Sequence, residues 1–206
     1  MSIQNRWGGE RISLANDTPT NIIQVHLSRY VWAMHYCTGK RVLDAGCGIG
    51  YGSWLLGTVA AEVVGIDSSD AALAAAKSAF DGLFICLPIE EAPAQITTPF
   101  ETIVAFEVVE HLTDMQQGLT ALKSMLAPEG VAVISLPLHH PSEFHHRRDM
   151  AYEDWVGVVS EQFVIRDTFW QGLEEYQRQD GNVNIRRLVD GTPNTGIVIF
   201  EVAASE

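Results

Sequence analysis

Three glycines at alternate positions follow a short apolar segment, and they are the strongest chemical signal in the chain. Residues 42–50 read V-L-D-A-G-C-G-I-G, with glycines at positions 46, 48 and 50. Glycine lets a backbone turn sharply and approach a ligand without a clash from Cβ, and the free N–H groups of a following helix point towards that ligand. Asp44 precedes the first glycine by two residues, where a carboxylate suits a cationic ammonium better than a pyrophosphate. The segment predicts a small-molecule site; the alternative is a plain tight turn.

A second acid ends the next apolar segment. Asp67 closes the run V-V-G-I-D and lies 21 residues after Gly46, a spacing typical of an acid that accepts hydrogen bonds from ribose hydroxyls. The alternative is that Asp67 or Ser68 caps the following helix, and the two roles are compatible. The dinucleotide pattern G-x-G-x-x-G requires glycine at position 51, where Tyr51 stands. The spacing therefore disfavours a nicotinamide dehydrogenase.

The elements that must position these acids alternate between apolar strands and amphipathic helices. This alternation predicts an α/β fold with a mostly parallel sheet, whose ligand edge is formed by the carboxyl ends of the strands. Strands are predicted over residues 41–45, 62–67, 83–86, 102–106, 131–136, 163–169 and 197–202. Helices are predicted over residues 21–37, 53–59, 69–80, 114–126 and 152–159, the third of them capped by Ser69.

Length and composition favour one globular domain without a membrane span. The chain has 206 residues, of which 47% are hydrophobic, and no apolar run approaches the ~18 residues of a spanning helix. Its three cysteines form no C-x-x-C pair and its first residues carry no apolar leader, so we expect a cytoplasmic protein. The net charge of −13 disfavours nucleic acid as a partner. We expect a helical cap over residues 1–40, a cofactor core over 41–138 and an acceptor-side loop with the final strands over 139–206.

Four motifs in order resemble the class I S-adenosylmethionine-dependent methyltransferases. Residues 44–50 resemble their first motif, Asp67 their ribose-binding acid and residues 100–112 their fourth-strand motif. Residues 126–130 are similar to their L-x-P-G-G turn, with Glu129 in place of the first glycine. The resemblance implies a Rossmann-like fold, a seven-stranded and mostly parallel sheet with helices on both faces, and S-adenosylmethionine as cofactor, with S-adenosylhomocysteine as its product.

A finer resemblance joins the chain to bacterial methyltransferases of glycan biosynthesis and to ubiquinone-type small-molecule methyltransferases. Glu10-Arg11, Arg29-Tyr30 and the G-Y-G-S segment at 50–53 carry it, together with residues 107–112. Pro88 stands where the family often has an acid that contacts adenine, so Ile89 is expected to hold that ring. The cofactor contacts implied by the resemblance are Arg29, Asp44, Gly46, Cys47, Gly48, Gly50, Tyr51, Asp67, Ser68, Pro88, Ile89, Glu90, Phe106, Glu107 and His111.

Five histidines are candidate general bases, at positions 111, 139, 140, 145 and 146, and two of them, His111 and His146, are favoured. Methyl transfer leaves the chain to align the acceptor and, for a hydroxyl, to remove its proton, and histidine titrates near neutrality. His111 follows the predicted fourth strand, and His146 lies in a polar loop, residues 139–150, that we expect to act as a lid. The alternatives are a loop-stabilising His111 and an ordinary surface His146.

The same region raises a metal alternative, because Glu107, Glu110 and His111 are spaced to share one face of a helical turn. Similar clusters hold metal in small-RNA 2′-O-methyltransferases and some quinone O-methyltransferases, but most proteins of this resemblance use none, and no metal is predicted. We expect methyl transfer to oxygen of a small-molecule or sugar acceptor, by a monomer or homodimer. The alternatives are a metal-assisted 2′-O-methyltransferase of RNA and a non-catalytic cofactor-binding module.

Overall fold

A computed structural model of the chain describes residues 20–138, 150–172 and 185–204. The strands are Arg41–Ala45 (β1), Glu62–Asp67 (β2), Leu83–Cys86 (β3), Phe100–Phe106 (β4), Leu126–Leu138 (β5), Phe163–Gln171 (β6), Arg186–Arg187 (β7) and Gly196–Ala204 (β8). The helices are Thr20–Cys37 (α1), Tyr51–Leu56 (α2), Asp70–Ala79 (α3), Ala92–Gln95 (α4), Met115–Met125 (α5) and Tyr152–Ser160 (α6). None of these helices is long and apolar enough to cross a membrane.

The strands form one sheet in the order β3-β2-β1-β4-β5-β8-β6-β7. The first five strands pair in parallel, β8 runs antiparallel between β5 and β6, and β6 therefore runs with the first five. The predicted α/β, Rossmann-like and mostly parallel sheet is confirmed. It has an eighth strand in addition to the seven expected, because Arg186 and Arg187 pair with Trp170 and Phe169 at the end of β6.

Alternate residues of the central strand β1 pack on opposite faces of the sheet. Val42 lies in an apolar cluster with Tyr30 and Ala33 of α1, whereas Leu43 lies in a second cluster with Leu119 of α5. Burial on both faces is what a central parallel strand requires. The expected placement of helices on both faces is confirmed, and the parallel strands bring their carboxyl ends to one edge.

Three element boundaries matter for that edge. Ser69 is the N-cap of α3, as predicted, and its Oγ accepts the Ala72 N–H at 3.3 Å. Helix α2 begins at Tyr51 rather than at residue 53, because the Trp54 N–H already reaches the Gly50 carbonyl at 3.0 Å. Strand β5 begins at Leu126 rather than at residue 131, because Leu126 already pairs with Phe100 of β4. The pairing changes register between Phe100 and Thr102.

Candidate functional site

The glycine loop leaves β1 at the carboxyl edge and turns through three left-handed backbone conformations. The φ angles are +77° at Gly46, +55° at Gly48 and +84° at Gly50. A Cβ at Gly46 would lie 2.5 Å from Val108, and one at Gly50 would lie 2.7 Å from Ala76, whereas nothing lies within 4 Å of one at Gly48. Packing and φ together demand glycine at the two outer positions. The space beside Gly48 is open, and there a ligand has access to the backbone.

Asp67 at the end of β2 ties this loop to the next helix. Its Oδ2 accepts the Gly48 N–H at 2.9 Å and its Oδ1 accepts the Ser69 N–H at 2.8 Å. The alternative that Asp67 or Ser68 caps α3 is wrong, since Ser69 is the cap and Ser68 is exposed. The backbone of Cys47 is held as well, because its N–H donates to Ile66 at 2.9 Å. The acid and the glycine loop therefore form one unit.

Asp44 at the end of β1 is completely buried beneath the loop. Its Oδ2 accepts the Ser53 hydroxyl at 2.6 Å and its Oδ1 accepts the Tyr30 hydroxyl at 3.2 Å. Burial raises the pKa of Asp44 to about 6, and the two hydrogen bonds oppose that rise. Sequence reasoning missed both partners as site residues, although they belong to the R-Y and G-Y-G-S segments that carry the family resemblance.

Tyr51 interacts with the Asp44 carboxylate and, separately, with the Arg29 guanidinium. The buried Arg29 guanidinium donates from Nη1 to Gln171 Oε1 at 2.7 Å. Burial raises the pKa of the Tyr51 hydroxyl, which lies 3.5 Å from His26 Nδ1. Gln171 is 142 residues from Arg29 in the chain, and no local sequence motif indicates that the two side chains are in contact. The cofactor roles of Arg29 and Tyr51 stay predictions.

The segment after β3 passes the end of β2. The Leu87 N–H donates to the Asp67 carbonyl at 2.9 Å, and Pro88 then precedes a single 3₁₀ turn, Ile89–Glu91. The Ile89 side chain packs in the apolar core and is 5% exposed. The segment therefore begins beside the backbone of Asp67, and the cofactor contacts expected of Pro88, Ile89 and Glu90 stay predictions.

A third acid follows β4, the strand on the other side of β1. Glu107 comes directly after Phe106 and has φ of +52°, and its Oε1 accepts the Ser135 hydroxyl at 2.7 Å. This conformation breaks the helical spacing on which the metal alternative depends. The only helical residues here are the 3₁₀ turn Val109–His111. Among the described residues, no three His, Cys, Asp or Glu side chains are grouped to hold a metal ion.

His111 is the one candidate base among the described residues. Its side chain is 36% exposed, and its Nε2 lies 3.8 Å from the buried Glu110 carboxylate. His146 and most of the predicted lid over residues 139–150 lie outside the described residues. The structure thus brings Asp44, Asp67 and Glu107 to the ends of three adjacent strands, with His111 on the loop that follows the last of them.

Comparisons with known proteins agree with this geometry. The family model described as a methyltransferase domain matches residues 30–177. A protein of Mycolicibacterium smegmatis, named a probable S-adenosylmethionine-dependent methyltransferase, is 35% identical over 193 residues, which is 82% of this chain and 73% of that protein. A ubiquinone biosynthesis O-methyltransferase of Bradyrhizobium diazoefficiens is 36% identical over 112 residues, 52% of this chain and 44% of the relative.

Solved structures show the same fold. The N-methyltransferase NodS of Bradyrhizobium japonicum, in complex with S-adenosylhomocysteine, superposes with a TM-score of 0.67 at 18% identity, over 94% of this chain and 95% of that one. At 18% identity, this similarity supports the fold alone. With the matched family model and the mycobacterial relative, the conclusion is that the chain belongs to the class I S-adenosylmethionine-dependent methyltransferases, with S-adenosylmethionine as its cofactor.

Proposed function

We propose that this chain transfers a methyl group from S-adenosylmethionine to an oxygen atom of a small-molecule or glycan-type acceptor. The observation that carries the proposal is the edge where Asp44, Asp67 and Glu107 end adjacent strands around the open space at Gly48. The relative named as a ubiquinone biosynthesis O-methyltransferase favours an oxygen acceptor. The net charge of −13 disfavours a polyanionic acceptor such as RNA.

The residues of this edge match the polar groups of the cofactor. The Asp67 carboxylate would accept the ribose hydroxyls, and the buried Asp44 carboxylate would attract the ammonium of the amino-acid part by charge. The buried Arg29 guanidinium would stabilise the carboxylate of that part by charge. Glu107, fixed by Ser135, completes the acidic edge on the side of β4. The proposed cofactor site is thus formed by the ends of β1, β2 and β4 and by helix α1.

Methyl transfer requires no covalent bond between the protein and the methyl group. When bound, the cofactor supplies an electrophilic methyl group, and the residues at the edge orient it and exclude water. His111 or His146 would take the proton from an acceptor hydroxyl. For His111 the Glu110 carboxylate, 3.8 Å from Nε2, would stabilise the imidazolium that forms.

The wider organisation is part of the same proposal. We propose one methyltransferase domain over residues 1–206, with the helical cap, the cofactor core and the acceptor-side segment divided at residues 40 and 138. The protein would act in the cytoplasm as a monomer or homodimer. The chain spans 73% of the mycobacterial relative and less than half of the ubiquinone-type relative, so the acceptor of either relative is not carried over to it directly.

The first test is binding of S-adenosylhomocysteine to the purified protein, after any cofactor that co-purifies has been removed. At about 100 times its dissociation constant, the ligand should stabilise the fold by roughly 2.7 kcal/mol. A protein that shows neither heat of binding nor a thermal shift would contradict the proposed site.

The second test supplies methyl-labelled cofactor with four acceptors: a dihydroxylated aromatic compound, its amine analogue, an oligosaccharide and a structured RNA. We expect label on the aromatic compound or the oligosaccharide, unchanged by a metal chelator. Label on RNA that is lost with the chelator would favour the metal-assisted alternative. Transfer to an amine analogue in preference to the hydroxyl compound would contradict the choice of oxygen.

A further inference from the structure

The N-terminal helix α1 reaches the Asp44 carboxylate through the hydroxyl of Tyr30. We propose that Tyr30 is a positioning residue for the cofactor: its hydroxyl keeps Asp44 in the ionised form that attracts the cofactor ammonium, and so couples α1 to the glycine loop. This inference rests on the proposed placement of that ammonium at Asp44. It adds a residue, a helix and a pH dependence that the glycine motif does not contain.

The ring of Tyr30 is held on several sides. Its centroid lies 5.2 Å from the Phe106 ring and 5.6 Å from the Tyr51 ring, and both contacts are edge-on. Position 52 must be glycine for this fit, because a Cβ there would overlap the Tyr30 ring. The hydroxyl is thereby aimed at Asp44 Oδ1, 3.2 Å away. A side chain held in this way positions its acceptor at little entropic cost.

The surroundings of Asp44 explain why the hydroxyl is needed. The titratable groups that interact with Asp44 come from four parts of the fold: Tyr30 and Cys37 of α1, Cys47 of the glycine loop, Tyr51 of α2 and Asp67 of β2. None of these is a cation, and the Asp67 charge raises the pKa of Asp44. The Tyr30 and Ser53 hydroxyls are what oppose desolvation of the Asp44 charge.

Tyr30 is suited to this role because it remains a donor. Burial raises its own pKa, so the phenol keeps its proton across the range in which Asp44 titrates. A hydrogen bond to the charged form of a carboxyl lowers its pKa. Removal of the Tyr30 hydroxyl must therefore raise the pKa of Asp44 above about 6. Cofactor affinity is then lost at a higher pH, because a neutral carboxyl does not attract an ammonium.

The experiment measures the dissociation constant of S-adenosylhomocysteine between about pH 5 and pH 8 for the unaltered protein and for two variants. Tyr30→Phe keeps the ring and removes the hydroxyl. Tyr36→Phe is the matched control, since Tyr36 is also on α1 and also donates to a carboxylate, Glu201, at 2.7 Å. Affinity of the unaltered protein should be constant near pH 8 and should weaken below about pH 6.

Tyr30→Phe should shift the midpoint upward by about one pH unit, as expected for one hydrogen bond to a charged group. It should bind about fivefold more weakly than the unaltered protein near pH 6 and within about twofold of it at pH 8. Tyr36→Phe should follow the unaltered protein. Coincident curves for Tyr30→Phe and the unaltered protein, or an equal shift in Tyr36→Phe, would overturn the proposal.

The outcome also separates this proposal from the proposed function. Binding that does not vary with pH would overturn the coupling of Tyr30 to Asp44 and leave the methyltransferase site intact. Absence of binding at pH 8 would overturn both. If Tyr30→Phe does not fold, the unaltered protein still decides by carbon-13 NMR. The Tyr30 Cζ and Asp44 carboxyl resonances should titrate with one midpoint near pH 6, and a Tyr30 signal that stays constant through the Asp44 titration would overturn the proposal.

Discussion

The variant Asp67→Ala tests the candidate site most directly, because both carboxylate oxygens already have partners in the chain. They accept the N–H groups of Gly48 at 2.9 Å and of Ser69 at 2.8 Å. A hydrogen bond to a charged group contributes about 1.5–3 kcal/mol, but Gly48 is partly exposed, so water can replace part of what is lost. We expect the free energy of unfolding of the ligand-free variant to fall by about 1–3 kcal/mol.

The same substitution should also weaken cofactor binding. Loss of a carboxylate that accepts ribose hydroxyls removes a further 1.5–3 kcal/mol or so from the complex. This corresponds to a rise in the dissociation constant of roughly 10- to 150-fold. Calorimetry with S-adenosylhomocysteine measures the affinity, and thermal unfolding of the ligand-free protein measures the stability.

The matched control is Asp114→Ala. Asp114 caps α5, and its Oδ1 accepts the Gln117 N–H at 3.0 Å. Its loss should cost about 0.5–2 kcal/mol of stability and leave the dissociation constant unchanged. If Asp67→Ala likewise loses stability but binds S-adenosylhomocysteine normally, Asp67 only ties the loop and the ribose contact is refuted. If it loses no stability, the two backbone hydrogen bonds are refuted.

Three further predictions concern other positions. Glu129→Gly should raise stability by about 1 kcal/mol, because φ of +62° costs a residue with a Cβ about that much; thermal unfolding checks it, with Glu129→Ala giving no gain. Gly52→Ala should lower stability by about 1–3 kcal/mol and weaken S-adenosylhomocysteine binding by displacing Tyr30, whereas Gly157→Ala, with open space around it, should do neither. His146→Ala should lower turnover by about 10²-fold or more with cofactor affinity unchanged, and near-normal turnover would exclude it as the base.

Local sequence carries enough information to predict the glycine loop and the second acid. The strand, the three glycines and Asp67 depend on short-range patterns: an apolar run, backbone conformations open to glycine, and an acid at a strand end. Ser69 was predicted as a cap for the same reason, since a cap needs only its own helix. Parallel pairing of β1 with β2 then brings these short segments together.

Contacts between distant segments could not be predicted in this way. Arg29 and Gln171 are 142 residues apart, and their hydrogen bond depends on where the last third of the sheet lies against α1. The contact between Tyr30 and Asp44 spans only 14 residues, but it too depends on how α1 packs against the sheet. The spacing of Glu107, Glu110 and His111 indicates one shared face only if the segment is a regular helix. Glu107 instead adopts φ of +52°, which periodicity in the sequence does not predict.

The acids at the carboxyl edge share a property that spacing alone does not reveal. Asp44 is held by Tyr30 and Ser53, Asp67 by two backbone N–H groups, and Glu107 by Ser135. Each therefore has a fixed position before any ligand arrives, so that binding needs little reorganisation of the protein. This suits a protein whose cofactor carries the reactive group, since its own task is to hold that group in line with an acceptor. It follows that substitutions of the side chains that hold the acids, such as Tyr30→Phe, should also impair cofactor binding, but less strongly than substitutions of the acids themselves.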